Sequence, residues 1–170
     1  MKFNERMGWK ASVFQYAQNM PVEVSCVFNH KGFPFPEEQI YATNSYALIF
    51  LTVYCLNFDM PQADIDFLAD QMQRLTVDSK RQVIIRLSPE MNGNWNFYGQ
   101  QPARYVELWR RIVTSVRAKA PEVAFLWSPS TGEGYPYGGP TVGVNSTQTP
   151  ADMALLDTNR DGEFNTLGKY

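Results

Sequence analysis

Short apolar runs alternate along the chain with longer segments in which apolar residues recur every three or four positions. The runs are rich in β-branched and aromatic residues, a composition typical of buried strands. They predict four strands, at Ala11–Ala17, Ala47–Tyr54, Gln82–Leu87 and Val123–Trp127. Near-continuous apolar runs of this kind fit a parallel sheet that is covered on both faces.

Two of the intervening segments have a clear helical period. The first follows Pro61, and its apolar stripe consists of Ile65, Leu68, Met72 and Leu75. The second begins at Pro102 and ends at Pro121. Its stripe consists of Tyr105, Leu108, Trp109, Ile112, Val113 and Val116. Each stripe predicts a helix that packs on the sheet, with Thr76–Lys80 as a polar connector after the first. Shorter helices are predicted at Glu37–Thr43, begun by Pro36, and at Pro150–Leu156.

Strands that alternate with helices predict an α/β fold with parallel pairing. Val22–Phe28 is a candidate extra strand or a loop, since it follows the first strand too closely for a crossover helix. A closed eight-stranded barrel takes about 250 residues, whereas this chain has 170. We therefore expect a partial (β/α)8 TIM barrel, as one domain over 1–170 that is incomplete at its carboxyl end. An open doubly wound sheet fits the strand count too, but its glycine-rich phosphate fingerprint is absent.

Composition and charge narrow the class of partner. Aromatic residues make up 14% of the chain, a surplus that carbohydrate sites use but that an aromatic core also explains. The net charge of −2 gives no support to binding of nucleic acid or an anionic membrane. The longest apolar run, Tyr46–Leu56, is too short to span a bilayer, and Met1–Arg6 lacks the apolar core of a signal peptide. Cys26 and Cys55 lack zinc spacing, and either two buried thiols or one disulfide fits them.

The main candidate chemistry follows the third predicted strand. Ser88-Pro89 ends that strand, and Glu90 comes next. A carboxylate just past the carboxyl end of a parallel strand is where barrel enzymes place catalytic groups. An amide that can orient hydroxyls and rings that can stack on sugars lie close behind, at Asn92, Trp95 and Tyr98. A solvated loop residue and the N-cap partner of the next helix are the other interpretations of Glu90.

The motif Arg86-x-x-Pro89-Glu90-Met91-Asn92-Gly93-x-Trp95 resembles the acid/base segment of glycoside hydrolase family 26, the β-mannanases and their relatives. Three further runs carry the same resemblance: Tyr98–Pro102, Trp127-Ser128-Pro129 and Gly134-Tyr135-Pro136. The resemblance implies a retaining glycosidase that acts on β-mannan-type polysaccharide, with Glu90 as general acid/base. The substrate-binding residues it implies are Arg86, Asn92, Trp95, Tyr98, Trp127 and Tyr135.

The resemblance implies no cofactor or metal ion, a polysaccharide or oligosaccharide as the partner, an extracellular location and a monomer if the chain is complete. The chain also departs from the family. Pro89 stands where characterised mannanases have a histidine, and the sole histidine, His30, is distant in sequence. The segment that carries the family's nucleophile is not found here, and Glu133 matches no nucleophile motif. A carbohydrate-binding protein without catalysis and an incomplete product without function are therefore the alternatives.

A second motif, Asp157-x-Asn159-x-Asp161-Gly162, matches the start of a calcium loop. The twelfth position, where a bidentate glutamate belongs, is Gly168. We therefore favour a turn in which the Asp and Asn side chains bond their own backbone.

Overall fold

The computed structural model describes residues 2–22, 36–130, 149–157 and 160. Most of the Val22–Phe28 run, together with Cys26, Glu133 and Tyr135, lies outside these residues. In the part described, no helix is both long enough and apolar enough to cross a membrane.

The predicted alternation of strands and helices is confirmed in the described residues. The strands are β1 (Val13–Met20), β2 (Leu48–Cys55), β3 (Val83–Leu87) and β4 (Ala124–Leu126). The helices are α1 (Lys2–Met7), α2 (Pro36–Ala42), α3 (Gln62–Gln73), α4 (Pro102–Lys119) and α5 (Pro150–Leu156). α1 was not predicted, because a six-residue helix is too short for an apolar period to emerge.

The four described strands form one sheet in the order β1-β2-β3-β4, and every neighbouring pair is parallel. Parallel pairing without a reversal of order differs from a doubly wound sheet, which reverses at a switch point. The α/β class and the parallel pairing are thus confirmed, and the sequential order is that of consecutive barrel strands. Because the strands are parallel, their carboxyl ends meet at one edge of the sheet.

The two faces of the sheet differ in burial. Alternate residues of β2 and β3 are nearly inaccessible and form the core together with the stripes of α3 and α4: Ile49, Leu51, Val53, Val83, Ile85 and Leu87. Burial of each such side chain contributes about 1.5–3 kcal/mol. Arg86 lies between two of these core positions, so its side chain points to the opposite face. Thr52 and Leu126 are its register partners on that face.

The connector predicted at Thr76–Lys80 is instead mostly helical. α3 continues into a π-helical turn over Arg74–Asp78, and the amide of Ser79 donates to the carbonyl of Arg74 over 3.0 Å. The wider turn keeps Leu75 fully buried. It also directs Arg74 to Glu37 of α2, which accepts two hydrogen bonds of 2.7 and 2.9 Å from the guanidinium.

Candidate active site

The candidate site begins where β3 leaves the sheet. The amide of Ser88 still donates to the carbonyl of Val53 over 2.8 Å, so the ladder runs one residue past β3. Ser88 and Glu90 then adopt positive φ angles of 40° and 60°. Such angles are uncommon for residues other than glycine, and where they occur they cluster at functional sites. The turn closes with a hydrogen bond of 3.0 Å from the amide of Gly93 to the carbonyl of Glu90.

Two donors hold the carboxylate of Glu90. The indole Nε1 of Trp95 donates to Oε2 over 2.8 Å, and Nη2 of Arg86 lies 3.4 Å from Oε1. The Glu90 side chain remains 39% exposed, so the carboxylate is fixed in direction yet open to solvent. An ion pair this exposed contributes at most about 1 kcal/mol to stability. Its main effect is therefore to place the carboxylate, and the sequence-predicted trio of Arg86, Glu90 and Trp95 is brought together.

Ser128, two residues beyond β4, contacts both members of this ion pair. Its Oγ accepts a hydrogen bond of 2.9 Å from Nε of Arg86, and its carbonyl accepts one of 2.7 Å from the amide of Glu90. Sequence reasoning missed this residue, although it lies in the Trp127-Ser128-Pro129 run that carried the resemblance. Its place just after a strand that neighbours β3 was a second signal that could have found it.

Asn92 was expected to bind substrate, but the structure engages its side-chain amide with Ser130. Nδ2 donates to the carbonyl of Ser130 over 2.8 Å, and Oδ1 accepts from the amide of Ser130 over 2.7 Å. Asn92 thereby joins the loop after β3 to the loop after β4, and its contact with substrate stays a prediction.

Tyr98 was also expected to contact substrate, and here the structure requires a correction. Its side chain is 1% exposed, and its hydroxyl donates to the carbonyl of Pro89 over 3.0 Å. Tyr105 of α4 lies beside it and shares its one hydroxyl proton between the carbonyls of Leu87 and Ser88, at 3.2 and 3.0 Å. Burial raises the pKa of both phenols, which remain protonated donors. The two tyrosines stabilise the turn by binding its backbone carbonyls, and their buried rings are not available to a sugar.

Trp127 follows β4 at the same edge of the sheet as Glu90 and is 49% exposed. Its ring packs edge-on against Tyr105 and Trp109 of α4, with centroid distances of 5.3 and 5.0 Å. Because Leu126 pairs with Arg86, the next residue points to the helix side of the sheet. Trp127 therefore offers its free surface beside the carboxylate turn rather than within it. Tyr135, the remaining predicted contact, lies outside the described residues.

Two glycines let the turn pack tightly. A methyl group at Gly93 would come within 2.3 Å of the Trp95 ring. One at Gly99 would come within 1.9 Å of the carbonyl oxygen of Gly93. Both distances are far below van der Waals contact, so these positions admit no side chain unless the turn moves. Gly93 is thus the residue that allows the indole to reach Glu90.

Among the residues that the structure describes, no group of three His, Cys, Asp or Glu side chains is placed to hold a metal ion. Asp157 and Arg160 of the calcium-like motif are described, and the rest of that motif is not. The prediction of a simple turn there stays a prediction.

Comparison with known families agrees with this geometry. The profile of glycosyl hydrolase family 26 matches residues 26–138, about two thirds of the chain, and the match spans β2 to β4 and the whole Glu90 turn. A search of curated proteins found no match. The carboxylate turn at the strand ends and the extent of the profile match lead to one conclusion: the chain belongs to glycosyl hydrolase family 26, a family of glycosidases.

Proposed function

We propose that this chain is a catalytic domain for the hydrolysis of β-mannan-type polysaccharide, with Glu90 as general acid/base of a retaining double displacement. The observation that carries the proposal is the carboxylate of Glu90, held by Trp95 and Arg86 at the carboxyl edge of the sheet and still 39% exposed. Consecutive parallel strands support an eight-stranded barrel around this edge. The substrate class rests on the family. We propose an extracellular location and a monomeric state with it, since both fit a polysaccharide substrate.

In the first step, the protonated carboxyl of Glu90 gives its proton to the glycosidic oxygen while a nucleophilic carboxylate forms a bond to the anomeric carbon. The glycosidic C–O bond breaks, and Glu90 is left as an anion beside Arg86. In the second step, the anion takes a proton from water, which attacks the anomeric carbon and releases the nucleophile. Trp95 keeps the carboxylate in one orientation through both steps, which proton transfer to a defined oxygen requires.

The nucleophile of this mechanism is proposed to lie outside this chain. Asp59, in the loop after β2, is at the carboxyl edge too, but its side chain is 97% exposed and lies 3.7 Å from Arg104. It is therefore a poor counterpart for Glu90. Glu133 is the alternative within the chain.

Glycan binding without hydrolysis is the second candidate function. The residue before Glu90 favours it: Pro89 has no proton to give or take, and its carbonyl is used to bind Tyr98. In that case Trp127 and the Glu90 turn would bind sugar but not cleave it.

Hydrolysis of soluble mannan, measured as released reducing ends, tests the proposal. We expect Glu90→Gln to abolish whatever hydrolysis the purified chain performs, since the amide cannot give a proton. Asp59→Asn is the matched control, because it removes a carboxylate at the same edge and should leave the rate unchanged. Turnover that survives Glu90→Gln would remove Glu90 from the mechanism. Binding without released ends, in a protein that also supplies the nucleophile, would establish the second candidate.

An activated aryl mannoside sharpens the test. Its leaving group departs without protonation, so in a protein that also supplies the nucleophile, Glu90→Gln should still form the covalent intermediate but hydrolyse it slowly. The release of the phenol over time should show a rapid burst followed by a slow phase. Azide, which attacks the anomeric carbon without base assistance, should increase the rate of the slow phase in Glu90→Gln. The glycosyl azide formed should have retained configuration.

A further inference from the structure

Ser128 contacts the Glu90 turn through two different atoms. Its hydroxyl accepts a hydrogen bond from the Arg86 side chain at 2.9 Å, and its carbonyl accepts one from the Glu90 amide at 2.7 Å. The strand register explains why one residue reaches both. Leu126 pairs with Arg86, so the chain that continues past β4 runs alongside the turn that continues past β3.

The hydroxyl contact controls the direction of Arg86. Nε and Nη2 lie on one edge of the planar guanidinium, and the plane does not deform. Nε donates to Ser128 while Nη2 of the same edge approaches Oε1 of Glu90 at 3.4 Å. Fixing the first nitrogen therefore fixes the direction of the second.

The carbonyl contact controls the backbone of Glu90. This residue has a φ of 60°, a conformation that a non-glycine residue keeps only when its surroundings impose it. Within the described residues, Glu90 makes two backbone hydrogen bonds. The bond from its amide to Ser128 is the shorter, at 2.7 Å against 3.0 Å for the bond from Gly93 to its carbonyl. Ser128 thus holds the Glu90 backbone directly and the Glu90 carboxylate through Arg86.

We propose that Ser128 is a positioning residue, which sets the orientation of the Glu90 carboxylate through the guanidinium of Arg86. The proposal rests on the acid/base role of Glu90 for its catalytic meaning. Ser128 itself exchanges no proton with substrate.

The indole resonance of Trp95 gives a test that does not depend on turnover. Trp95 donates to Oε2 of the carboxylate whose Oε1 faces Arg86, so a turned carboxylate alters the 15N–1H shift of the indole. Trp95→Phe assigns the resonance, and Glu90→Ala gives its position without the bond. Ser128→Ala removes only the hydroxyl and keeps the carbonyl contact, so this variant should fold. Its resonance should move toward the Glu90→Ala position, whereas Ser128→Thr should stay at the wild-type position.

A double variant separates positioning from general loosening of the loop. Arg86→Lys lacks the nitrogen that binds Ser128, so the combination with Ser128→Ala should shift the indole no further than Arg86→Lys alone. Additive shifts would mean that Ser128 acts independently of Arg86 and would overturn the proposal. An indole resonance that is unmoved in Ser128→Ala would overturn it as well.

Activity assays keep this proposal distinct from the proposed function. If the wild type hydrolyses mannan, Ser128→Ala should lower kcat about tenfold with KM nearly unchanged, and Ser128→Thr should restore it. If the indole responds as expected but neither wild type nor variant releases sugar even when the nucleophile is supplied, positioning stands and the catalytic function fails. If hydrolysis depends on Glu90 but is indifferent to Ser128→Ala, catalysis stands and the positioning role fails.

Discussion

Asn92 and Ser130 are joined by two hydrogen bonds that run in opposite directions. The side-chain amide of Asn92 donates to the carbonyl of Ser130 over 2.8 Å and accepts from the backbone amide of Ser130 over 2.7 Å. It thus binds the backbone with one donor and one acceptor, as the backbone of a neighbouring strand would. A side chain thereby extends the pairing of β3 and β4 past the ends of both strands.

Asn92→Ala should therefore lower the free energy of unfolding by about 1–3 kcal/mol, because two backbone groups of Ser130 lose partners. Urea denaturation measures the change. Asn96→Ala is the matched control: it removes an amide of the same loop that makes one long contact, 3.4 Å to the carbonyl of Pro89. Equal losses in the two variants would contradict a special role of Asn92.

In a protein that also supplies the nucleophile, Trp95→Phe should reduce the rate of mannan hydrolysis while the chain remains folded. The variant keeps an aromatic ring but removes the N–H that holds Oε2 of Glu90. Loss of one such bond should cost about 1 kcal/mol of stability. The activation free energy of hydrolysis should rise by more than this amount, because the carboxylate also loses its orientation. Initial rates and thermal melting give both quantities. Trp9→Phe, at a tryptophan that is 67% exposed before β1, should change neither.

Gly93→Ala should displace the Trp95 ring and reproduce the catalytic loss of Trp95→Phe. The added methyl group would lie 2.3 Å from ring carbons, so the indole must move away from Glu90. Overpacking of this kind costs about 1–3 kcal/mol. Gly8→Ala serves as the control, since Gly8 has a φ of 73° with open space around it. That variant should cost about 1–2 kcal/mol of stability from backbone strain alone and leave the hydrolysis rate unchanged.

The protein should lose stability as the pH rises above about 9. Burial raises the pKa of the Cys55 thiol from 9.0 to about 12, and burial raises the pKa of Tyr98 and Tyr105 in the same direction. Between the unfolded and the folded pKa, the unfolded chain releases a proton that the folded chain retains, so unfolding becomes more favourable. For Cys55 the loss approaches about 1.4 kcal/mol per pH unit. Below pH 9 the thiol is protonated in both states and contributes no slope.

Urea denaturation between pH 7 and pH 10.5 measures this decline. Cys55→Ala removes one of the three titrating groups, so the free energy of unfolding should fall less steeply with pH than in the wild type. The smaller side chain also changes the free energy of unfolding at neutral pH, but this change does not affect the slope. An identical slope in wild type and variant would exclude Cys55 as a contributor.

Trp127→Ala should weaken the binding of mannan oligosaccharides by roughly tenfold or less, the range that one aromatic contact of about 0.5–1.5 kcal/mol allows. Calorimetric titration measures the affinity. Trp9→Ala is the control, because Trp9 is also exposed but precedes β1 at the amino-terminal edge of the sheet. Unchanged affinity in Trp127→Ala would confine the role of Trp127 to its packing on α4.

Local patterns in the sequence were sufficient for the elements and for the place of Glu90. The four strands and the helices α2 to α5 follow from apolar periodicity and from the positions of Pro36, Pro61, Pro102 and Pro150, because these signals act over a few residues. The parallel pairing follows in turn, because parallel strands need crossover connections and a helix between two strands supplies one. A glutamate right after a strand must then lie at the carboxyl edge of the sheet.

Only the tertiary structure decided what the neighbours of Glu90 do. Asn92 and Tyr98 belong to the same loop, and both were expected to contact substrate. The side-chain amide of Asn92 binds Ser130, whereas the phenol of Tyr98 turns inward to the carbonyl of Pro89 and is too buried for that contact. Ser128 is 42 residues from Arg86, and Ser130 is 38 from Asn92. Contacts at such separations depend on the register between β3 and β4 and on backbone angles that non-glycine residues rarely adopt. Periodicity carries information about which face a residue occupies, but not about which distant atom its side chain will meet.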